Sequence, residues 1–231
     1  RYQDYEITKT AIRLFSALGY KVKRAPIKES GRIAFSKGML KRAKKLAKKN
    51  IELLLPLIND STPLVGLEPS AVLSFRDEYP DLLKRDLSGL NANVFLFDEF
   101  LAREIDCGNI DRELFTDEKR NILLHGHCQQ KALIGTEFME KMLTLPRNYS
   151  VEVIPSGCCG MAGSYGYEQK HYEMSKKIAH SVLIPAIENA DKDTIISAPG
   201  TSCREQISHF SSREALHPIE VLYNALNKEK N

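Results

Sequence analysis

Four cysteines stand where they could do chemistry together. Cys128 closes His125-Gly126-His127-Cys128, directly after the apolar run Ile122-Leu123-Leu124. Cys158 and Cys159 lie in Pro155-Ser156-Gly157-Cys158-Cys159-Gly160, after the run Val151–Ile154. Cys203 closes Pro199-Gly200-Thr201-Ser202-Cys203, after Ile195–Ala198. Each site follows a run that reads as a strand and precedes one that reads as a helix. In an open parallel sheet, the loops at the carboxyl ends of the strands share one edge, and ligands bind there. That edge would collect the four thiols. Thiolate-rich sites select iron–sulfur clusters, zinc or Cu(I). A helix amino terminus favours the thiolate, the form that binds metal. Two other readings stay open: small buried hydrophobes, and a vicinal disulfide at Cys158-Cys159. The sequence has no C-x-x-C, which argues against thioredoxin-like chemistry and zinc ribbons. Cys107, in Asp106-Cys107-Gly108, falls outside the pattern and is expected to be a free thiol.

Other side chains near these cysteines could support them. His125 and His127 flank the strand end and could hydrogen-bond a sulfur or replace a thiolate. Lys131 and Arg204 could offset thiolate charge. His171, His180, His209 and His217 show no ligand spacing and are expected at the surface. No Gly-x-Gly-x-x-Gly or phosphate loop occurs, so no nucleotide site is expected in this chain.

Strands and helices must alternate to place these loops. The pattern predicts helices over Asp4–Leu18, about Phe35–Ile58, Ser70–Leu87 (weakened by Pro80) and Asp98–Ile105. It continues with helices over Gln129–Leu143, Tyr167–Glu188, Ser202–Phe210 and Ile219–Leu226. Strands are expected over Tyr20–Ala25, Leu64–Leu67, Asn93–Leu96, Asn121–His125, Val151–Ile154 and Thr194–Ala198. Such alternation argues for an α/β fold of parallel βαβ units.

The chain also repeats. At an offset of 129, Pro26, Gly31, Lys48, Leu54, Pro56 and Ile58 fall on Pro155, Gly160, Lys177, Leu183, Pro185 and Ile187. After a three-residue slip, Thr62 falls on Thr194 and Ser70 on Ser202. Tyr20–Ala71 and Tyr149–Cys203 thus read as copies of one unit. The expected architecture is two tandem units with small parallel sheets flanked by helices, related by an approximate two-fold. The expected boundary divides residues 1–105 from 106–231. The first copy lacks a strand matching Asn121–His125, and the chain opens on Arg1, so further sequence is expected upstream.

Composition excludes several classes. The chain has 231 residues, 42% hydrophobic and 27% charged, with a net charge of +3 from 33 Lys+Arg and 30 Asp+Glu. That balance gives no global argument for nucleic acid. No apolar run approaches the roughly 20 residues of a bilayer span, and no signal peptide opens the chain. Five cysteines, unevenly placed, suit a reducing compartment better than a disulfide scaffold. Charge is segregated, however. Lys21–Asn50 carries 12 lysines and arginines against one acid, Glu29, whereas Ala71–Glu118 carries 12 acids against 5 bases. The basic block reads as a solvated helix face or as a docking surface for an acidic partner.

Gly157-Cys158-Cys159-Gly160, between Cys128 and Cys203, resembles the cysteine-rich CCG domain found in heterodisulfide reductases. The wording resembles most the carboxyl-terminal part of FAD-linked oxidase/Fe–S oxidoreductase fusions. It does so in His125-Gly126-His127-Cys128-Gln129-Gln130-Lys131, Pro199-Gly200-Thr201-Ser202-Cys203-Arg204 and Gly66-Leu67-Glu68-Pro69-Ser70. The resemblance implies that Cys128, Cys158, Cys159 and Cys203 bind an iron–sulfur cluster or, as the alternative, zinc. His125, His127, Lys131 and Arg204 would support them. It implies an electron-transfer module of a flavin-linked dehydrogenase oxidising a small 2-hydroxy acid of the lactate, glycolate or 2-hydroxyglutarate class. FAD would sit on the missing upstream segment. The partners would be FAD-binding and ferredoxin-like domains of the same polypeptide or complex. The location would be cytoplasmic, peripheral to the inner membrane face through an electron acceptor. Two departures matter. The family's last motif is C-x-x-C, but its first position is Gly200 here, which leaves four thiols and suits a four-thiolate site. The first copy has Glu29-Ser30-Gly31 for Cys158-Cys159-Gly160, and Ala71 for Cys203, so it should be free of metal.

This asymmetry gives a first expected outcome. Ser30→Ala should leave metal content unchanged and Cys159→Ser should abolish it, as read by elemental analysis of the purified variants. Metal retained by Cys159→Ser would remove that residue from the ligand set.

Overall fold

The sequence sorts its apolar residues onto one face of each helix and into short strand runs, and the fold follows from pairing them. In the computed structural model, which describes residues 5–27 and 29–227, the elements follow in this order. The first stretch holds α1 (Tyr5–Ala17), α2 (Arg32–Ser36), α3 (Leu40–Leu54), β1 (Leu64–Gly66), α4 (Pro69–Leu73), α5 (Glu78–Leu83), α6 (Ser88–Asn91) and β2 (Val94–Leu96). Next come α7 (Phe97–Asp106), β3 (Arg120–Leu124), α8 (Cys128–Leu133), α9 (Glu137–Leu143) and β4 (Tyr149–Val153). The chain ends with α10 (Tyr172–Ser181), α11 (Leu183–Glu188), β5 (Ile195–Ser197), α12 (Thr201–Phe210), β6 (Ala215–Leu216) and α13 (Pro218–Asn224). The described residues up to Val22 group with those from Leu101 onward, while Lys23–Phe100 form a second compact unit. No described helix is long and apolar enough to cross a membrane.

The larger unit is built on a four-stranded parallel sheet in the order β4-β3-β5-β6. Its centre is β3, where Ile122, Leu123 and Leu124 are all buried. A parallel strand covered on both faces reads as such a continuous apolar run. Successive side chains alternate between faces. Leu123 joins Ile184, Ile187, Ile196, Ile207 and the thiols of Cys159 and Cys203 in one cluster. Helix α9 covers β4 with Met139, Met142 and Leu143, and α13 packs on α9 and α1.

The smaller unit has a two-stranded parallel sheet, β1 beside β2. Helix α3 buries Ala43, Ala47, Asn50, Ile51 and Leu54 along one stripe. Lys41, Arg42, Lys44, Lys45, Lys48 and Lys49 point to solvent. The side-chain amide of buried Asn50 donates to Glu29 O at 2.9 Å and to Tyr79 Oη at 3.0 Å.

The structure is an α/β fold of small parallel sheets flanked by helices, but several elements differ from the sequence pattern. Tyr20–Ala25 is not a strand: no described residue pairs with it in a ladder, and an extended segment becomes a strand only when a neighbour takes its N–H and C=O groups. Tyr20–Ala71 therefore carries β1 alone, whereas Tyr149–Cys203 carries β4 and β5 on either side of β3, and the strand-for-strand repeat is not seen. One correspondence does hold locally. Gly31 and Gly160 both have positive φ, 84° and 99°, and each backs onto the next long helix, at Leu46 and at Ser175. Those two helix residues share the offset of 129.

The long helices are broken. Gly38 (φ 71°) separates α2 from α3, and Gly135 (φ 80°) separates α8 from α9, because neither conformation continues a helix. The Ser70–Leu87 helix resolves into the end of α4 and α5, with a left-handed stop at Lys84. The Tyr167–Glu188 helix starts only at Tyr172 and is interrupted at Val182. Strand β6 has two residues, too few for periodicity to reveal. His217 is buried rather than exposed: its Nδ1 accepts from Ile219 N at 3.1 Å and caps α13, with Glu220 completing the capping box.

Leu124 is fully buried at the end of the central strand. Leu124→Ala should lower stability by about 2–5 kcal/mol, the usual cost of a core Leu truncation. Exposed Lys45→Ala should change it by less than about 0.5 kcal/mol. Urea unfolding followed by circular dichroism separates the two.

Candidate metal centre

The parallel register of β3 with β4 and β5 aligns three strand ends. Leu124 lies opposite Val153 on one side and Ser197 on the other. His125 N donates to Ser197 O at 2.8 Å, and Ile154 N to Leu124 O at 2.9 Å, so each loop leaves from one edge. The cysteines sit on those three loops.

The first loop carries His125 and Cys128. His127 caps α8, its Nδ1 accepting from Gln129 N at 3.3 Å, which leaves Cys128 as the exposed first residue of that helix. The second loop folds tightly over Cys158-Cys159. Gly160 (φ 99°), Ala162 (φ 41°) and Gly163 (φ 70°) all adopt left-handed backbone. This turns the Gly160 N–H onto Cys158 Sγ at 3.3 Å, and the Ala162 N–H also reaches that sulfur. Consecutive N–H groups around one atom form an anion-binding nest. A side chain at Gly160 would meet Ser175 O at 2.4 Å, so this position admits only glycine without a shift. The third loop places buried Cys203 in the first turn of α12. A Cβ on Gly200 would lie 2.6 Å from the His127 ring and 3.1 Å from Cys203 Sγ, so the bare backbone lets ring and sulfur approach.

The four sulfurs form a contact chain, Cys128–Cys158–Cys159–Cys203, each hydrogen-bonded to the next. Cys159 and Cys203 are buried, Cys158 is half-buried and Cys128 is at the mouth. A ring nitrogen of His125, Cys159 Sγ and Cys203 Sγ all lie within 4.8 Å of one another. Neighbouring thiols cannot all ionise, and they alternate. Donation from Cys128, then from Cys159, holds Cys158 well below the usual thiol range. Donation from Cys159 does the same for Cys203, with His125 adding to it. Cys128 and Cys159 are pushed up, chiefly because their protons are held against Cys158, and burial adds to this. At Cys128 the helix terminus is outweighed: the Cys158 sulfur beside it pushes this thiol up, against the Gln129 N–H.

The supporting residues divide. Lys131 Nζ donates to Ser156 O and faces all four sulfurs; burial lowers its pKa while the thiols pull it upward. The Arg204 guanidinium donates to Ala198 O at 3.1 Å and Pro199 O at 2.8 Å, so it clamps the third loop. His125 is fully buried, with Nδ1 2.8 Å from Ser156 Oγ. Ser156 thus joins the lysine and the histidine, a role that its type and position did not signal. Tyr167 was also not foreseen; it reaches Ser202 and lies near Cys159. Cys107 is exposed and apart from the site.

Known proteins resemble the chain along nearly its whole length. It is 30% identical over 222 residues to D-2-hydroxyglutarate dehydrogenase of Escherichia coli (strain K12), covering 96% of this chain and 21% of that protein. It is 29% identical over 232 residues to D-2-hydroxyglutarate dehydrogenase of Haemophilus influenzae, covering 97% and 22%. It is 26% identical over 227 residues to one subunit of the anaerobic glycerol-3-phosphate dehydrogenase of Escherichia coli (strain K12), covering 97% and 56%. These relatives are dehydrogenases. The chain spans about a fifth of the first two and just over half of the third. No family model matches the chain, and no solved structure matches it.

The tight second loop yields a further expected outcome. Gly160→Ala should cost about 1–3 kcal/mol in backbone strain and displacement of the cysteine loop. Metal uptake should fall with it. Gly157→Ala, where nothing lies within 4 Å of the added carbon, should keep both stability and uptake. Urea midpoints and metal stoichiometry of the two variants check this.

Proposed function

We propose that this chain is the iron–sulfur electron-transfer module of a flavin-linked dehydrogenase. Cys128, Cys158, Cys159 and Cys203 would hold the cluster. The observation that carries the reading is the convergence of these four sulfurs from three loops at one sheet edge. The donor set suits a thiophilic metal group. Four contacting sulfurs share protons that a cation would replace. A cluster bound there supplies transfer of single electrons. The protein's own residues supply the rest: the Gly160 and Ala162 N–H groups stabilise negative charge on Cys158, Lys131 offsets charge over the whole set, and the apolar cluster around Cys159 and Cys203 excludes water.

The substrate in this reading is a small 2-hydroxy acid, supported by the D-2-hydroxyglutarate dehydrogenases among the relatives. FAD and the residues that read the substrate would lie on other domains of the same polypeptide or complex, beside ferredoxin-like domains. The small share of those relatives that this chain covers supports such a division. The module would work in the cytoplasm, passing electrons to an acceptor at the inner membrane face. The degenerate, metal-free repeat expected over residues 1–105, with Ser30 and Ala71 in place of thiols, would have the compact unit Lys23–Phe100 as its core. Zinc is the second reading, favoured by the tight buried group of His125, Cys159 and Cys203. It would make the module a docking scaffold.

Anaerobic purification followed by iron, sulfide and zinc analysis tests the reading. Iron and sulfide in near-equal amounts, with brown colour lost in Cys159→Ser and Cys203→Ser, are expected. Stoichiometric zinc in a colourless protein selects the scaffold. Activity that survives metal removal would point instead to thiol–disulfide chemistry at Cys158-Cys159 and overturn both.

A further inference from the structure

Two histidines border the thiols, and the structure treats them differently. His127 is spent on local structure, its Nδ1 accepting the Gln129 N–H to cap α8. His125 has no such task. Its backbone extends β3, with its N–H on Ser197 O at 2.8 Å, so its Cα is held by the sheet. Its ring is fully buried. Nδ1 lies 2.8 Å from Ser156 Oγ, and Ser156 is itself held by the Lys131 ammonium on its carbonyl oxygen. Nε2 is buried and has no hydrogen bond of ordinary geometry, while the ring acts on the neighbouring Cys203 sulfur. Leaving a buried polar atom without a hydrogen bond is costly, so its retention beside a thiol cluster asks for a partner.

The surroundings name the kind of partner. A His125 ring nitrogen, Cys159 Sγ and Cys203 Sγ lie within 4.8 Å of one another, and all three residues are buried. Since Ser156 engages Nδ1, Nε2 is the nitrogen left for this group. A tetrahedral cation with bonds of about 2.0 Å to nitrogen and 2.3 Å to sulfur holds its donors roughly 3.5–3.8 Å apart. Three buried donors grouped this closely can reach that spacing with small side-chain movement. A metal-bound histidine usually gives its other ring nitrogen to a fixed hydrogen-bond partner, which sets tautomer and orientation. Ser156, anchored by Lys131, stands in that place.

We propose that His125 is a direct metal donor through Nε2, so that the buried part of the site is a His–Cys–Cys set completed from the mouth by Cys158 or Cys128. This rests on the metal-centre reading above and sharpens it: of five donors, only Cys128 is solvent-exposed, and it becomes the most readily replaced.

The test uses the purified protein loaded with iron and sulfide, and separately with cobalt(II) alone. Pulsed EPR of the reduced cluster and of the cobalt form should show strong coupling to one imidazole nitrogen. His125→Ala should lose that coupling and bind cobalt at least tenfold more weakly, while His127→Ala keeps the coupling. Ser156→Ala should keep the coupling but weaken binding about 10–100-fold, as loss of a ligand's supporting partner does; it serves as the readout if His125→Ala does not fold. Absence of nitrogen coupling in the fully loaded protein, or its survival in His125→Ala, overturns the proposal. Cys159→Ser separates the two levels. If it abolishes metal binding while His125→Ala changes nothing, only the donor role of His125 fails. If Cys159→Ser and Cys203→Ser both retain metal, the metal-centre reading fails as well.

Discussion

The site depends on one constraint, the parallel pairing of β3 with both β4 and β5. Parallel strands in register end on the same side, so Leu124, Val153 and Ser197 mark a common edge. Everything chemically distinctive in the chain follows that edge within a few residues. An antiparallel partner on either side would carry one loop to the opposite end of the sheet. The continuous burial of Ile122, Leu123 and Leu124 keeps β3 central and so holds this arrangement in place.

Putting four sulfurs there creates an electrostatic problem. Two of them, Cys159 and Cys203, belong to an otherwise apolar cluster with Ile184, Ile187 and Ile207. Burial disfavours every thiolate, and each thiolate disfavours its neighbour. The chain answers with shared protons, two backbone N–H groups on Cys158 and the half-buried Lys131. Arg204, the strongest cation nearby by type, is turned onto loop carbonyls. Rigidity and charge compensation are therefore carried by different residues, and the lysine supplies the charge.

The smaller unit shows what the same local plan becomes without thiols. Gly31 keeps the positive φ of Gly160 and backs onto Leu46 as Gly160 does onto Ser175. Around Ser30 the polar groups satisfy one another: Tyr79 Oη donates to Ser30 O at 2.5 Å, Asn50 reaches Glu29 O, and Arg32 pairs with Glu78. This loop closes on itself with hydrogen bonds.

Much of this was legible from residue order. Apolar runs ending in His-Gly-His-Cys, Gly-Cys-Cys-Gly and Thr-Ser-Cys locate strand, loop and helix, because period-two and period-3.6 patterns are local properties. The grouping of Cys128, Cys158, Cys159 and Cys203 also followed, since parallel order places successive loops on one edge. Breaks in the long helices were less visible: an apolar stripe survives a three-residue interruption around Gly38 or Gly135, so periodicity alone does not see it. Tyr20–Ala25 looked like a strand by composition, yet a strand exists only by virtue of its neighbour. The tertiary structure alone decided that neighbouring thiols share protons, that Arg204 serves the loop while Lys131 faces the sulfurs, and that His217 is buried as a cap. It alone set Ser156 against His125 and left Nε2 without a hydrogen bond of ordinary geometry. Those outcomes depend on distances between residues far apart in sequence, and electrostatics and hydrogen bonding act on distances.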